Sequence, residues 1–130
     1  MDVDRLADMI AADRYASHLG MRLVPDADAV VVEMTVGDEH QNFLGTTHGG
    51  AVFSLADCAF ALASNVAGAR AVAIDTHLVL TGGSPLGDVL TARAEETTRG
   101  RSLGTYRIKV SRSDGRVIGL FTGTVHISPD

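Results

Sequence analysis

A single cysteine, Cys58, among 130 residues excludes an internal disulfide, and no Cys/His cluster has the spacing of a zinc site. The chain is therefore expected in a reducing, cytoplasmic compartment. It has no surplus of positive charge either: 11 Lys and Arg stand against 16 Asp and Glu, a formal net of −5. That balance argues against nucleic acid as the main partner. The N-terminus opens with Asp2, Asp4 and Arg5, not a basic segment and an apolar core, so no secretory signal is expected. Linkers, repeats and low-complexity segments are missing as well, which leaves one domain over residues 1–130. Hydrophobic content of 45% with 21% charged residues is ordinary globular composition, enough to bury a core without metal or disulfide support.

From His48 to Ala69 charge itself is scarce: Asp57 is the one formal charge in a run of small and apolar residues. Ala51/Val52, Leu55, Ala59, Leu62/Ala63 and Val66 recur at three- and four-residue steps, which predicts a helix. Thr46 or Thr47 can cap its start and Gly68 can end it. A helix apolar nearly all round has to be wrapped by protein or by lipid. Lipid is disfavoured, because a mid-span carboxylate costs about 3 kcal/mol on insertion scales, so no membrane contact is expected. The reading is a central helix covered by a sheet, with one carboxylate placed inside. Burial disfavours the charged form of that carboxylate, and either a structural hydrogen bond or a chemical role could justify it.

Residues 3–17 read as one amphipathic helix, with Val3, Leu6, Met9/Ile10 and Ala11 on one side and Gly20 at its end. Residues 21–25 and 29–36 read as a hairpin around Pro25-Asp26-Ala27-Asp28, with Val30, Val32, Met34 and Val36 on one face. After the central helix the period switches to two. Strands are expected over 71–80, 89–98, 103–112 and 117–127, separated by Gly82-Gly83-Ser84-Pro85-Leu86-Gly87, by Thr98-Arg99-Gly100-Arg101 and by Asp114-Gly115. Two strands, a buried helix and four sequential strands make an α+β domain with the helix on one sheet face.

The string Asn42, Gly45, His48-Gly49-Gly50 and Leu55-Ala56-Asp57 resembles the hotdog-fold acyl-CoA thioesterases, in particular their phenylacetate-degradation (PaaI-type) branch. The likeness continues through Gly87-Asp88, Gly100-Arg101, Gly104-Thr105-Tyr106 and Leu120-Phe121-Thr122-Gly123. It implies a hotdog fold, an antiparallel sheet wrapped around a long central helix. It also implies hydrolysis of an aromatic or medium-chain acyl-CoA, with Asp57 as base or nucleophile, Gly49 polarising the thioester carbonyl through its amide, and Asn42 bonding the water or the carbonyl. His48 would position the loop or act as a base. No metal or cofactor is implied, coenzyme A being part of the substrate. Chemically these positions make sense: a carboxylate in an apolar cleft is poorly solvated, and a helix N-terminus favours a developing oxyanion.

Spacing adds a constraint. Eight helical residues separate Gly49 and Asp57 by about 12 Å along the axis, too far for one chain to serve one carbonyl comfortably. Antiparallel central helices of two copies would bring the groups together, in agreement with the family's dimer; a dimer of dimers is also expected. Gly50 and Phe53 are candidates for substrate contact. Residues 88–116 hold seven basic side chains against four acids, a net of +3, and Arg99 and Arg101 within them are the candidates for the coenzyme A phosphates. Asp75 and His77 are read on one strand face with Ala73, and Cys58 as a buried inert thiol. The alternatives are an acyl-thioester hydratase or dehydratase on the same fold and a non-catalytic acyl-CoA-binding module.

Overall fold

The computed structural model describes residues 1–129, and its elements follow the sequence periodicities. Helices α1 (Val3–Ala12) and α2 (Arg14–His18) precede strands β1 (Met21–Val24) and β2 (Val31–Thr35). A 3-10 turn (Asp38–His40) and a loop lead into helix α3 (Gly49–Asn65), followed by β3 (Ala71–Leu80), β4 (Val89–Arg99), β5 (Leu103–Ser111) and β6 (Val117–Ile127). The strands form one sheet in the order β1-β2-β4-β5-β6-β3, with every neighbouring pair antiparallel. Helix α3 packs against β2 through β6, so the sheet wraps it as expected.

Alternation along the strands decides which face meets α3. Val32, Met34, Leu90, Ala92, Ile108, Val110 and Phe121 are fully buried, while Arg93, Arg107 and Lys109 between them are exposed. From the helix side nine residues are buried, including Leu55, Ala59, Phe60 and Leu62. Phe60 lies 5.4 Å from Phe121 and 5.8 Å from Tyr106, ring centre to ring centre. Two glycines of β6 permit this closeness: a Cβ at Gly123 would stand 2.7 Å from the Phe60 ring, and one at Gly119 3.2 Å from Val52. Asn65 then ties the end of α3 to β3, donating to the Ala71 carbonyl (3.0 Å) and accepting from the Ala71 amide (2.9 Å).

Three expectations are corrected. The single helix over 3–17 is two helices, because Asp13 takes an extended conformation and its carboxylate accepts from the Ala16 amide, restarting the chain as α2. Helix α3 is capped by His48, not by Thr46 or Thr47: the His48 Nδ1 accepts from the Gly50 amide at 2.8 Å. Strand β3 does not alternate strictly. Ala73 pairs with Val125, but Asp75 pairs with Thr124, so Ile74 is the extra residue of a β-bulge. Ala71 and Ala73 therefore share the helix-facing side with Thr76, Leu78 and Leu80, opposite buried Val125, Gly123 and Phe121. Asp75 and His77 point to the other face, opposite Thr124 and Thr122.

Candidate active site

The N-terminus of α3 is where the chain prepares an anion site. Its first amides are orphans unless something outside the helix takes them. Here Ala51 and Val52 donate to the His48 carbonyl, at 2.9 and 3.3 Å, and Gly50 donates to the His48 ring. Gly49 is the exception: among the described residues its N–H has no acceptor. It sits on the positive end of a 17-residue helix, without a side chain to obstruct a ligand.

Around that amide the loop is rigidly built. The Asn42 side-chain oxygen accepts from the amides of Leu44 (3.0 Å) and Thr46 (3.2 Å) and from the Thr46 hydroxyl (3.2 Å). Because backbone N–H groups can only donate, these bonds identify that atom as the oxygen, and the amide nitrogen faces away from the turn. Gly45 completes the turn at φ +80°, a backbone conformation that suits glycine. Thr47 and Ser84 fasten the loop to the segment after β3 through hydroxyl bonds of 2.7 and 2.9 Å. Asn42, Gly49, Val52, Leu80, Gly83 and Ile118 line a cleft of about 240 Å³ at the C-terminal end of β3.

Asp57 lies two helical turns further on and is half-buried. It borders two other clefts. One, of about 260 Å³, lies against the start of β3 between Phe60, Ala61, Ala71, Ala73 and Val125. The other, of about 60 Å³, lies under α2 between Asp13, Tyr15, Met21 and Ser54. Burial pushes the Asp57 carboxyl above its ordinary range, and the nearby charge of Asp13 pushes in the same direction. The acid is thus neither closed into the interior nor freely solvated. None of these three clefts contains both Gly49 and Asp57.

The remaining candidates divide. His48 is exposed, with Nδ1 committed to the Gly50 amide, and its visible task is capping. Phe53 stands edge-on to Phe121 at 5.4 Å and packs with the core, so the same-side relation to Asp57 read from the sequence does not bring it into either Asp57 cleft. Gly50 is exposed beside the N-cap. Arg99 is corrected as a free phosphate contact: its Nη1 donates to the Ser64 carbonyl (3.1 Å) and to the Tyr106 hydroxyl (2.7 Å), bridging α3 and the sheet. Arg101, on the turn beyond it, is exposed. Cys58 is buried, with its thiol pushed up to about 12, mainly by burial. No group of three or more His, Cys, Asp or Glu is placed to hold a metal among the described residues, and no helix is long and apolar enough to cross a membrane. The sequence reading missed His40, a fully buried side chain in a charged loop whose surroundings give no local signal of burial.

The family model of the thioesterase superfamily matches residues 44–118, which include the α3 N-terminus and Asp57. The acyl-coenzyme A thioesterase PaaI of Escherichia coli is 36% identical over 119 residues, covering 91% of this chain and 85% of that protein. The structure of E. coli PaaI superposes with a TM-score of 0.91 at 34% identity, covering 97% of this chain and 92% of that one. A thioesterase of Streptococcus pneumoniae solved with coenzyme A superposes at 0.80 with 25% identity, covering 85% and 90%. With its sheet wound around a glycine-started helix, this chain belongs to the thioesterase superfamily, has the hotdog fold, and falls in the PaaI-type branch.

Proposed function

We propose that the protein hydrolyses an aromatic or medium-chain acyl-CoA to the free acid and coenzyme A, at sites shared between two copies of the chain. The observation that carries this reading is the separation of the free Gly49 amide and the Asp57 carboxylate into clefts at opposite ends of β3. Strand β3 is an edge strand ten residues long, and Val72, Ile74, Val79 and Leu80 on it are 45–60% exposed. Such an edge is a template for another strand. A two-fold axis normal to the sheet sets β3 antiparallel to its copy. The Leu80 end, which borders the Gly49 cleft, then lies beside the partner's Ala71–Ala73 end, which borders the Asp57 cleft. One thioester can thus meet the amide of one subunit and the acid of the other.

In that arrangement the carbonyl oxygen points at the Gly49 N–H. Attack on the carbonyl carbon forms a C–O bond and places negative charge on that oxygen, which the amide and helix dipole stabilise. Collapse breaks the C–S bond and releases the coenzyme A thiolate, which takes up a proton. Asp57 either accepts the proton of an attacking water or attacks directly, giving a mixed anhydride that water then hydrolyses. A single turnover in labelled water separates the two, since only the anhydride route leaves label in the Asp57 carboxylate. Asn42, with its amide nitrogen turned from the loop, is the candidate donor to water or carbonyl. Arg101 is the candidate phosphate contact. The coenzyme A bound to the pneumococcal relative supports this substrate class.

The test is complementation. Asp57→Ala and Gly49→Pro chains are each inactive alone in a thiol-release assay over a panel of acyl-CoAs, whereas their heterodimer has one intact site and regains up to half of wild-type activity. Confirmed heterodimers without activity would rule out shared sites. Absence of thiol release by the wild-type protein on every acyl-CoA would favour a binding module.

A further inference from the structure

We propose that His40 is a positioning residue for the reaction, holding the Gly49 amide in place through His48; this rests on the reading of Gly49 as the carbonyl-polarising group. His40 is 2% exposed and is the one buried ionisable side chain besides Tyr106 and Cys58 among the described residues. Its ring joins two segments that are distant in sequence. Nδ1 accepts from the Gly37 amide at 2.8 Å, and Nε2 lies 2.8 Å from the Leu19 carbonyl at the end of α2. An amide N–H can only donate and a carbonyl can only accept. The ring is therefore the neutral tautomer with its proton on Nε2, and both nitrogens are used.

The backbone of His40 reaches the site itself. Its carbonyl accepts from the His48 amide at 2.7 Å, and its own amide donates back to the Gly37 carbonyl at 3.1 Å. His48 in turn takes up the amides of Gly50, Ala51 and Val52, which is the arrangement that leaves Gly49 free and aimed outward. Helix α2, the 37–40 turn and the start of α3 thus meet on one imidazole. Groups facing the ring are Glu39, whose carboxylate is 3.6 Å from Nδ1, and Tyr15 and His48, which line the same shallow cleft. A displaced donor of about 1 Å is enough to cost a large factor in rate without weakening ground-state binding.

The test compares His40→Leu, His40→Asn and His40→Gln as full-length protein, by steady-state thiol release from a saturable acyl-CoA, at a temperature where circular dichroism shows each variant folded. Leucine removes both ring bonds and is expected to lower kcat about tenfold or more, with KM changed by less than about twofold. Asparagine places its Oδ1 where Nδ1 stood, keeps the Gly37 amide bonded, and restores most of kcat. Glutamine reaches only the Leu19 carbonyl and does not. Wild-type kcat in folded His40→Leu overturns the proposal, as does a loss that merely tracks the unfolded fraction. Should the leucine variant fail to fold, equal kcat in the asparagine and glutamine variants overturns it instead. Asp57→Asn, run alongside, separates the two levels: full activity there refutes the hydrolysis reading, whereas a dead Asp57→Asn beside a fully active His40→Leu refutes only the role of His40.

Discussion

Replacing Gly49 by proline isolates one hydrogen-bond donor. Proline is well accommodated at the first residue of a helix, where its fixed φ is already suitable and its missing N–H costs no helical bond. His48 has ψ 133°, the extended setting that a residue before proline requires. The added carbons meet Leu80, whose Cδ1 lies 2.9 Å from the Cβ position, but that side chain is 53% exposed and free to swing. Stability should therefore change by no more than about 1 kcal/mol. Catalysis should not be spared. Losing one oxyanion donor in a water-excluded site lowers kcat about 100- to 1000-fold, or about 3–4 kcal/mol of barrier. Gly49→Ala is the control, because it adds the same Cβ beside Leu80 and keeps the N–H. Steady-state thiol release with matched melting curves reads both variants. Comparable kcat in the proline and alanine variants would refute the reasoning, whichever way the two moved, because the amide hydrogen is what distinguishes them.

Asp57 has a carboxyl raised by burial and by Asp13, so stability is fully present below its unfolded value and is lost as pH rises through the folded one. Asp57→Asn should abolish turnover yet raise Tm at neutral pH, with the gain vanishing below about pH 4; an unchanged Tm difference across pH contradicts this. For the same reason Asp13→Asn, which still caps α2, should move the acid limb of the kcat/KM profile to lower pH. Arg101→Glu should raise KM for a coenzyme A thioester far more than for a pantetheine thioester, whereas Arg99→Ala, which breaks the bridge to Ser64 and Tyr106, should lower Tm. Cys58, with its thiol pushed up to about 12, should resist iodoacetamide at about pH 8 until the chain is unfolded.

Much of this fold is written in local periodicity, which is why α3 and the four strands after it were legible from spacing alone. The departures arise where a single residue changes the count. The bulge at Ile74 inserts one position into β3, and nothing in the alternation Ala71-Val72-Ala73-Ile74 announces it; Asp75 and His77 consequently fall on the face opposite to the one expected. Asp13 looks like one more polar residue of an amphipathic helix, and only its extended backbone makes it a cap. At the candidate site the Asn42, Gly49 and Asp57 pattern was visible because glycine and a lone acid are conspicuous in an apolar run. Arg99 and His40 were not legible: their partners, Ser64 and Tyr106 in one case and Leu19 in the other, are brought to them by the tertiary fold.

The two borders of the sheet are unlike. Strand β1 is four residues long, has α1 and α2 packed on it, and carries the Arg22–Glu33 ion pair across to β2. Strand β3 is ten residues long, and half-exposed valine, isoleucine and leucine side chains run along it. A chain with one sticky border and one blunted border has a single valence for sheet extension. Joining through it consumes that valence on both molecules at once, so growth is self-terminating and the fibril-forming hazard of an open strand ends after one addition.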